Sequence, residues 1–184
     1  MRLIHNQIPL EFLNTLPEGI KFINKHGKEF LVVEELYCPN GHNLMVETVK
    51  LHGEPSVKID VKLKNPGGQY YQEGSFFIDA FWGSHDKLYN FIPIIKEEPV
   101  IADAFCPSCG ACLMADDKCS VENCSTIPHI VFLLPGGKNK IFVCGRLGCP
   151  GHRIDIIDMP HIISETVSDI NFFGEGADDI FRGI

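Results

Sequence analysis

Seven of the eight cysteines, together with His42, fall into four short-range pairs: Cys38-x3-His42, Cys106-x2-Cys109, Cys119-x4-Cys124 and Cys144-x4-Cys149. This spacing constrains the fold more than any other feature. Two ligands two to four residues apart reach one metal from a tight turn. A tetrahedral Zn²⁺ needs two such turns, with Zn–S bonds near 2.3 Å. Proline after the first ligand fixes φ, and glycine after the second lets the backbone turn back without a Cβ clash. Cys106-Pro107-Ser108-Cys109-Gly110 carries both marks, and Cys38-Pro39-Asn40-Gly41-His42 carries the proline and a glycine. The expected metal ligands are therefore Cys38, His42, Cys106, Cys109, Cys119, Cys124, Cys144 and Cys149, holding two zinc ions.

Two other uses of the cysteines compete with this one. Four disulfides need an oxidising compartment. The start of the chain, Met1-Arg2-Leu3-Ile4-His5-Asn6, lacks the apolar core of an export signal. An iron–sulfur cluster is suggested by Cys106, Cys109 and Cys112, but the bacterial ferredoxin run wants a fourth cysteine at 116. Aspartates stand at 116 and 117.

The Cys106–Gly110 segment resembles the knuckle of a zinc ribbon, and Cys38–His42 resembles a variant with histidine as the second ligand. The third and fourth pairs bracket a hairpin: apolar Ile130–Leu134, then Pro135-Gly136-Gly137, then Ile141-Phe142-Val143 running into Cys144. That order is similar to a zinc ribbon as well. The resemblance is confined to the knuckles and implies local structure, not function.

Four pairs combine in three ways: consecutive, cross-braced or nested. Consecutive pairing is favoured, because one short hairpin already joins the third and fourth pairs at low loop-closure cost. The 63 residues between His42 and Cys106 must then be folded. Cys112 reads as a small buried hydrophobe, or as a substitute for Cys119. His152 is a ligand in place of Cys149, an outer neighbour of the site or a surface residue. The histidines at 5, 26, 52, 85, 129 and 161 read as surface or core residues.

Val57-Lys58-Ile59-Asp60-Val61-Lys62-Leu63-Lys64 alternates without a break, as a half-buried strand does. Leu44–Leu51 precedes it across a turn at 52–56. Residues 75–82 follow, with Phe76, Ile78, Ala80 and Trp82 on one face. A further hairpin spans 20–23 and 30–33. Helix signals are sparse, at 9–16 and 164–170. The expected fold is mostly β (small α+β), with an antiparallel sheet, hairpins and two zinc-ribbon-like sites. The expected organisation is a β-sheet module at 1–112, a hairpin module at 113–160 and an acidic, aromatic C-terminal segment at 161–184. That segment holds Phe172, Phe173, Ile180 and Phe181 and supplies −4 of the net −8. It either packs back on the sheet or docks a protein partner.

Seven thiolates and two dications would take the net charge from −8 to −11. Such a charge argues against nucleic acid, whose binding rests on Lys and Arg contacts to phosphate. The lysines at 58, 62, 64, 138 and 140 read as solvated. No apolar stretch is long enough to span a membrane, and a cytoplasmic location is expected. The chain has no H-E-x-x-H, phosphate loop or nucleophile motif. The expectation is a non-enzymatic zinc-binding protein with a scaffold or protein-interaction role. The alternatives are a zinc-dependent hydrolase with an open position beside Cys38, Cys106 and Cys109, and an iron–sulfur or redox protein.

Overall fold

The computed structural model describes residues 10–157 except 26–27, 85, 96–98 and 126. Strands account for 51% and helix for 4%, so the fold is mostly β. A short helix α1 (Leu10–Asn14) leads into the hairpin β1 (Ile20–Lys25) and β2 (Lys28–Val33). A five-stranded sheet follows, from β3 (Met45–Leu51), β4 (Glu54–Lys64), β5 (Tyr70–Ile78), β6 (Lys87–Tyr89) and β7 (Ile101–Phe105). The last sheet has four strands: β8 (Met114–Lys118), β9 (Pro128–Leu133), β10 (Lys140–Cys144) and β11 (His152–Asp155), in the order β11-β10-β9-β8. Every strand pair is antiparallel.

The central strand β4 explains how the first two ligand pairs meet. One edge of β4 pairs with β5. The other edge is shared end to end by β3 and β7. Met45, at the start of β3, lies opposite Val57, and Phe105, at the end of β7, lies opposite Asp60. Those two positions are about 10 Å apart along the strand. The segment just before β3 and the segment just after β7 therefore arrive side by side. The long insertion is a sheet whose two ends abut.

The alternation in β4 orients the sheet as expected. Val57, Ile59, Val61 and Leu63 are buried, while Lys62 on the other face is exposed. On that outer face Lys58, Lys62 and Lys64 lie over the rings of Phe77, Phe105 and Tyr70. They share it with Asp60, Glu73 and Asp103. Asp103 accepts hydrogen bonds from Lys64 Nζ and the Tyr70 hydroxyl. On the inner face Gly74 leaves room for Phe91, whose ring carbon lies 2.1 Å from where a Cβ would stand.

One core cluster draws on all three sheets. It includes Leu31 and Val33, then Ile59, Leu63 and Phe76, then Ile130, Phe132, Ile141 and Ile154. Each such side chain contributes about 1.5–3 kcal/mol on burial. Backbone bonds stitch the sheets together: Tyr37 exchanges both bonds with Leu133, and Ala102 N–H donates to Gly145.

Some boundaries differ from the sequence reading. The turn after β3 has two residues, His52 and Gly53, and β4 begins at Glu54. Pro55 is accommodated because the register slips between Val46 and Lys50 opposite it. β5 starts at Tyr70 and stops at Ile78, so Ala80 and Trp82 lie beyond the strand, although both are buried. Cys112 is exposed rather than buried. It sits on a short bridge with Phe105, and the next residue, Leu113, takes the inward direction. The expected helix at 164–170 and the segment 161–184 lie outside the described residues.

Candidate metal centres

The first centre is built from two knuckles of the same local form. Cys38 N–H donates to the His42 carbonyl at 3.0 Å, and Gly41 N–H donates to the Cys38 carbonyl at 2.9 Å. In the second knuckle Cys106 N–H donates to Ala111 at 2.9 Å, and Gly110 N–H donates to Cys106 at 2.8 Å. Gly41 and Gly110 have φ of 82° and 69°, which only glycine adopts cheaply. The four ligand atoms of Cys38, His42, Cys106 and Cys109 lie within 4.8 Å of one another. Cys38 Sγ is 3.9 Å from Cys109 Sγ and 3.5 Å from His42 Nδ1.

The second centre sits at one end of the four-stranded sheet. Cys119 follows β8 where Lys118 pairs with Pro128, and Cys144 pairs with His129. Both knuckles therefore emerge at the same end of β9 and β10. A 3₁₀ turn at Glu122–Cys124 brings Cys124 inward. Cys119, Cys124, Cys144 and Cys149 again lie within 4.8 Å, all four buried. Cys119 Sγ and Cys149 Sγ are 3.7 Å apart.

These distances suit a metal ion rather than disulfides. Ligands on a tetrahedral zinc stand about 3.8 Å apart for two sulfurs and about 3.6 Å apart for sulfur and nitrogen. A disulfide needs sulfurs about 2.05 Å apart, and all eight cysteines are free thiols. The structure therefore joins the pairs consecutively: the first with the second, the third with the fourth. His152 belongs to neither group. Its ring packs edge-on to Trp82, and Nδ1 faces the Pro150 carbonyl. Cys112 belongs to neither group.

The two centres differ in exposure and polarity. In the first, Cys38 and Cys106 are buried in the main core, while His42 and Cys109 face solvent. Backbone N–H of Ala111 and the Asn40 side-chain amide lower the Cys109 thiol to about 6. Burial raises the Cys38 thiol, but hydrogen bonds from His42, Asn40 and Cys106 together outweigh it and the net shift is downward. The Cys38 sulfur in turn raises the His42 imidazole. In the second centre burial dominates and pushes the Cys144 thiol far up. Arg146 compensates part of the charge there, its Nη1 donating to Cys124 Sγ at 3.3 Å and to the Asn123 carbonyl at 2.7 Å. Backbone N–H groups of Arg146 and Gly151 point at Cys144 Sγ and Cys149 Sγ.

These shifts fix an order of reactivity in metal-free protein. Iodoacetamide at pH 7 is expected to label Cys109 ahead of the buried cysteines and Cys144 last. The thiolate is the nucleophile, so Cys109 labelling falls as pH drops through about 6. Mass mapping of labelled peptides over time checks this, and early labelling of Cys144 would contradict it.

The sequence reading did not single out Asn40, Arg146 or Gly151, all of which touch ligand sulfurs. Asn40 and Arg146 lay inside the x positions of the pairs and Gly151 two residues past Cys149, where polar and small residues are common for other reasons. Comparison with models of known protein families, with curated proteins and with solved structures found no match.

Proposed function

We propose that the chain is a zinc protein with two closed, structural, ribbon-like sites. One holds Cys38, His42, Cys106 and Cys109, and the other holds Cys119, Cys124, Cys144 and Cys149. The observation that carries this reading is four converging ligands in each group, at separations matching the edges of a zinc tetrahedron. Four protein ligands close a structural site, whereas a catalytic one keeps a position for water. The zinc ions then clamp a scaffold. The C-terminal segment 161–184 is the part that docks a protein partner, and a reducing compartment such as the cytoplasm keeps the ligands as thiols. Among the described residues no helix is long and apolar enough to cross a membrane.

Elemental analysis of purified protein tests the reading. Two zinc atoms per chain are expected, with cobalt replacement giving the visible bands of tetrahedral thiolate sites. Iron in place of zinc, or metal bound without thiolate charge transfer, would overturn it.

One observation favours a second reading. A cleft of about 420 Å³ borders Cys38, lined also by Glu18, Glu35, Tyr37 and the turn at Pro135. In that reading water takes the place of His42 beside Cys38, Cys106 and Cys109, and a substrate would approach from the Cys38 side, the one ligand that lines the cleft. Metal affinity that is unchanged in His42→Ala, together with hydrolase activity, would support that reading over the first.

A further inference from the structure

His52 occupies the first position of the two-residue turn between β3 and β4, with φ of 51°, and Gly53 follows at 90°. Asparagine or glycine fills the first position easily, whereas a histidine there carries a steric cost of about 1 kcal/mol. The ring reaches across to the loop after β5. Nδ1 is 2.5 Å from Asp79 Oδ2, and Nε2 is 3.4 Å from Asp86 Oδ2. The Asp79 side chain is fully buried. It also accepts hydrogen bonds from the Ser84 hydroxyl at 2.7 Å and from Phe81 N–H at 3.1 Å. A carboxylate ringed by donors is an acceptor, so Nδ1 carries the proton and donates it. Nε2 faces the Asp86 carboxylate, and at that separation either a proton on Nε2 or a metal ion lies between the two. Asp79 N–H bonds the Asp86 carbonyl at 3.2 Å and holds the two aspartates in register.

We propose that His52, Asp79 and Asp86 form a third metal site, separate from the cysteine centres, that takes a divalent transition ion. His52 Nε2 and Asp86 are the direct ligands. Asp79 is a positioning residue that fixes the ring and its tautomer, the carboxylate–histidine–metal arrangement found behind many ligating histidines. Two ligands with bonds of about 2.1 Å to one ion stand about 3.0–3.4 Å apart, and the Nε2–Oδ2 separation falls in that range. An imidazole with carboxylate suits zinc, nickel or copper, whereas magnesium and calcium prefer all-oxygen sets. Asp86 is exposed, so water completes the shell and the ion exchanges.

Equilibrium dialysis of the purified protein against Ni²⁺ tests this, with zinc content measured before and after. The wild type is expected to take up one nickel equivalent without losing zinc. Asp86→Asn and His52→Asn are expected to weaken uptake at least ~tenfold, and Asp79→Asn by ~10–100-fold. Asp86 is a surface side chain and asparagine suits the turn at 52, so these two variants keep the fold, as circular dichroism will show. No saturable uptake would mean that a proton alone bridges Nε2 and Asp86, and would overturn the proposal. Uptake unchanged in both variants, or matched by zinc loss, would place the nickel on the cysteines and overturn it equally.

Discussion

Cys124→Ser is expected to destabilise the protein by more than ~4 kcal/mol, whereas Cys109→Ser costs at least ~2 kcal/mol less. The asymmetry follows from what surrounds each sulfur. In the second centre the four cysteines are themselves the buried cluster, and among the described residues Val121 and Ile127 are the partly buried hydrophobics packed against them. Residues 119–127 carry one 3₁₀ turn and a few backbone bonds. Without a bound ion, these bonds and the Arg146 contact to the Asn123 carbonyl are left to hold them inward. Structural zinc contributes about 10–16 kcal/mol of apparent binding energy in small zinc-finger peptides. That is comparable with the whole stability of a typical domain, about 5–15 kcal/mol. Serine keeps the size but not the soft thiolate, so the ion is lost and three buried thiols remain.

Cys109 sits at the exposed rim of the first centre. Its partners Cys38 and Cys106 already belong to the main core, alongside Ile59, Leu63 and Phe132. The β3–β4–β7 junction is also held by a backbone bond from Lys58 N–H to the Leu44 carbonyl. Losing that ion loosens the knuckles but leaves the sheet packed. Urea midpoints of both variants in the presence of zinc measure the difference. Hydrogen exchange locates it, with β8 to β11 losing protection in Cys124→Ser alone. Equal losses in the two variants would sink the argument.

The parts of this fold that were legible in the sequence are those written locally. The knuckles show because ligand spacing, proline and glycine all fall within five residues. β4 shows because one face is buried and the other carries lysines, so its period of two is unbroken. The 9–16 segment shows as the helix α1. The strands that escaped notice owe their state to distant partners. β7, Ile101-Ala102-Asp103-Ala104-Phe105, is buried almost throughout and contains two alanines, so it lacks an alternating face. It is a strand because the far half of the β4 edge is open to it. β8, Met114-Ala115-Asp116-Asp117-Lys118, is half charged and pairs with β9 through an irregular register. The carboxylates near His52 come from 27 and 34 positions further on. Only the sheet brings them to the turn.

Gly151→Ala gives the sharpest test of how closely the second centre is fitted. A Cβ on residue 151 would stand 2.5 Å from Cys119 Sγ, 3.3 Å from Cys144 Cβ and 3.5 Å from Cys149 Sγ. The first contact is impossible, and the atom in the way is a proposed ligand. The residue cannot retreat, because its carbonyl accepts from Cys144 N–H at 2.8 Å and its N–H points at Cys149 Sγ at 3.4 Å. Its φ lies outside the left-handed region, so alanine meets no backbone penalty and the effect is steric. Relief requires Cys119 Sγ to shift by nearly an ångström, while metal–ligand distances tolerate about 0.2 Å. The expected result is one zinc per chain instead of two and a loss of zinc affinity at the second centre of ~100-fold or more. The first centre, built from other knuckles, stays loaded. Gly67→Ala is the control, since its Cβ would meet only the end of the Asn65 side chain, at 3.3 Å. Competition with a chelator of known affinity reads both sites. If Gly151→Ala held two zinc ions with unchanged affinity, Cys119 would not be a ligand, and the second centre would have to be rebuilt on the three remaining cysteines.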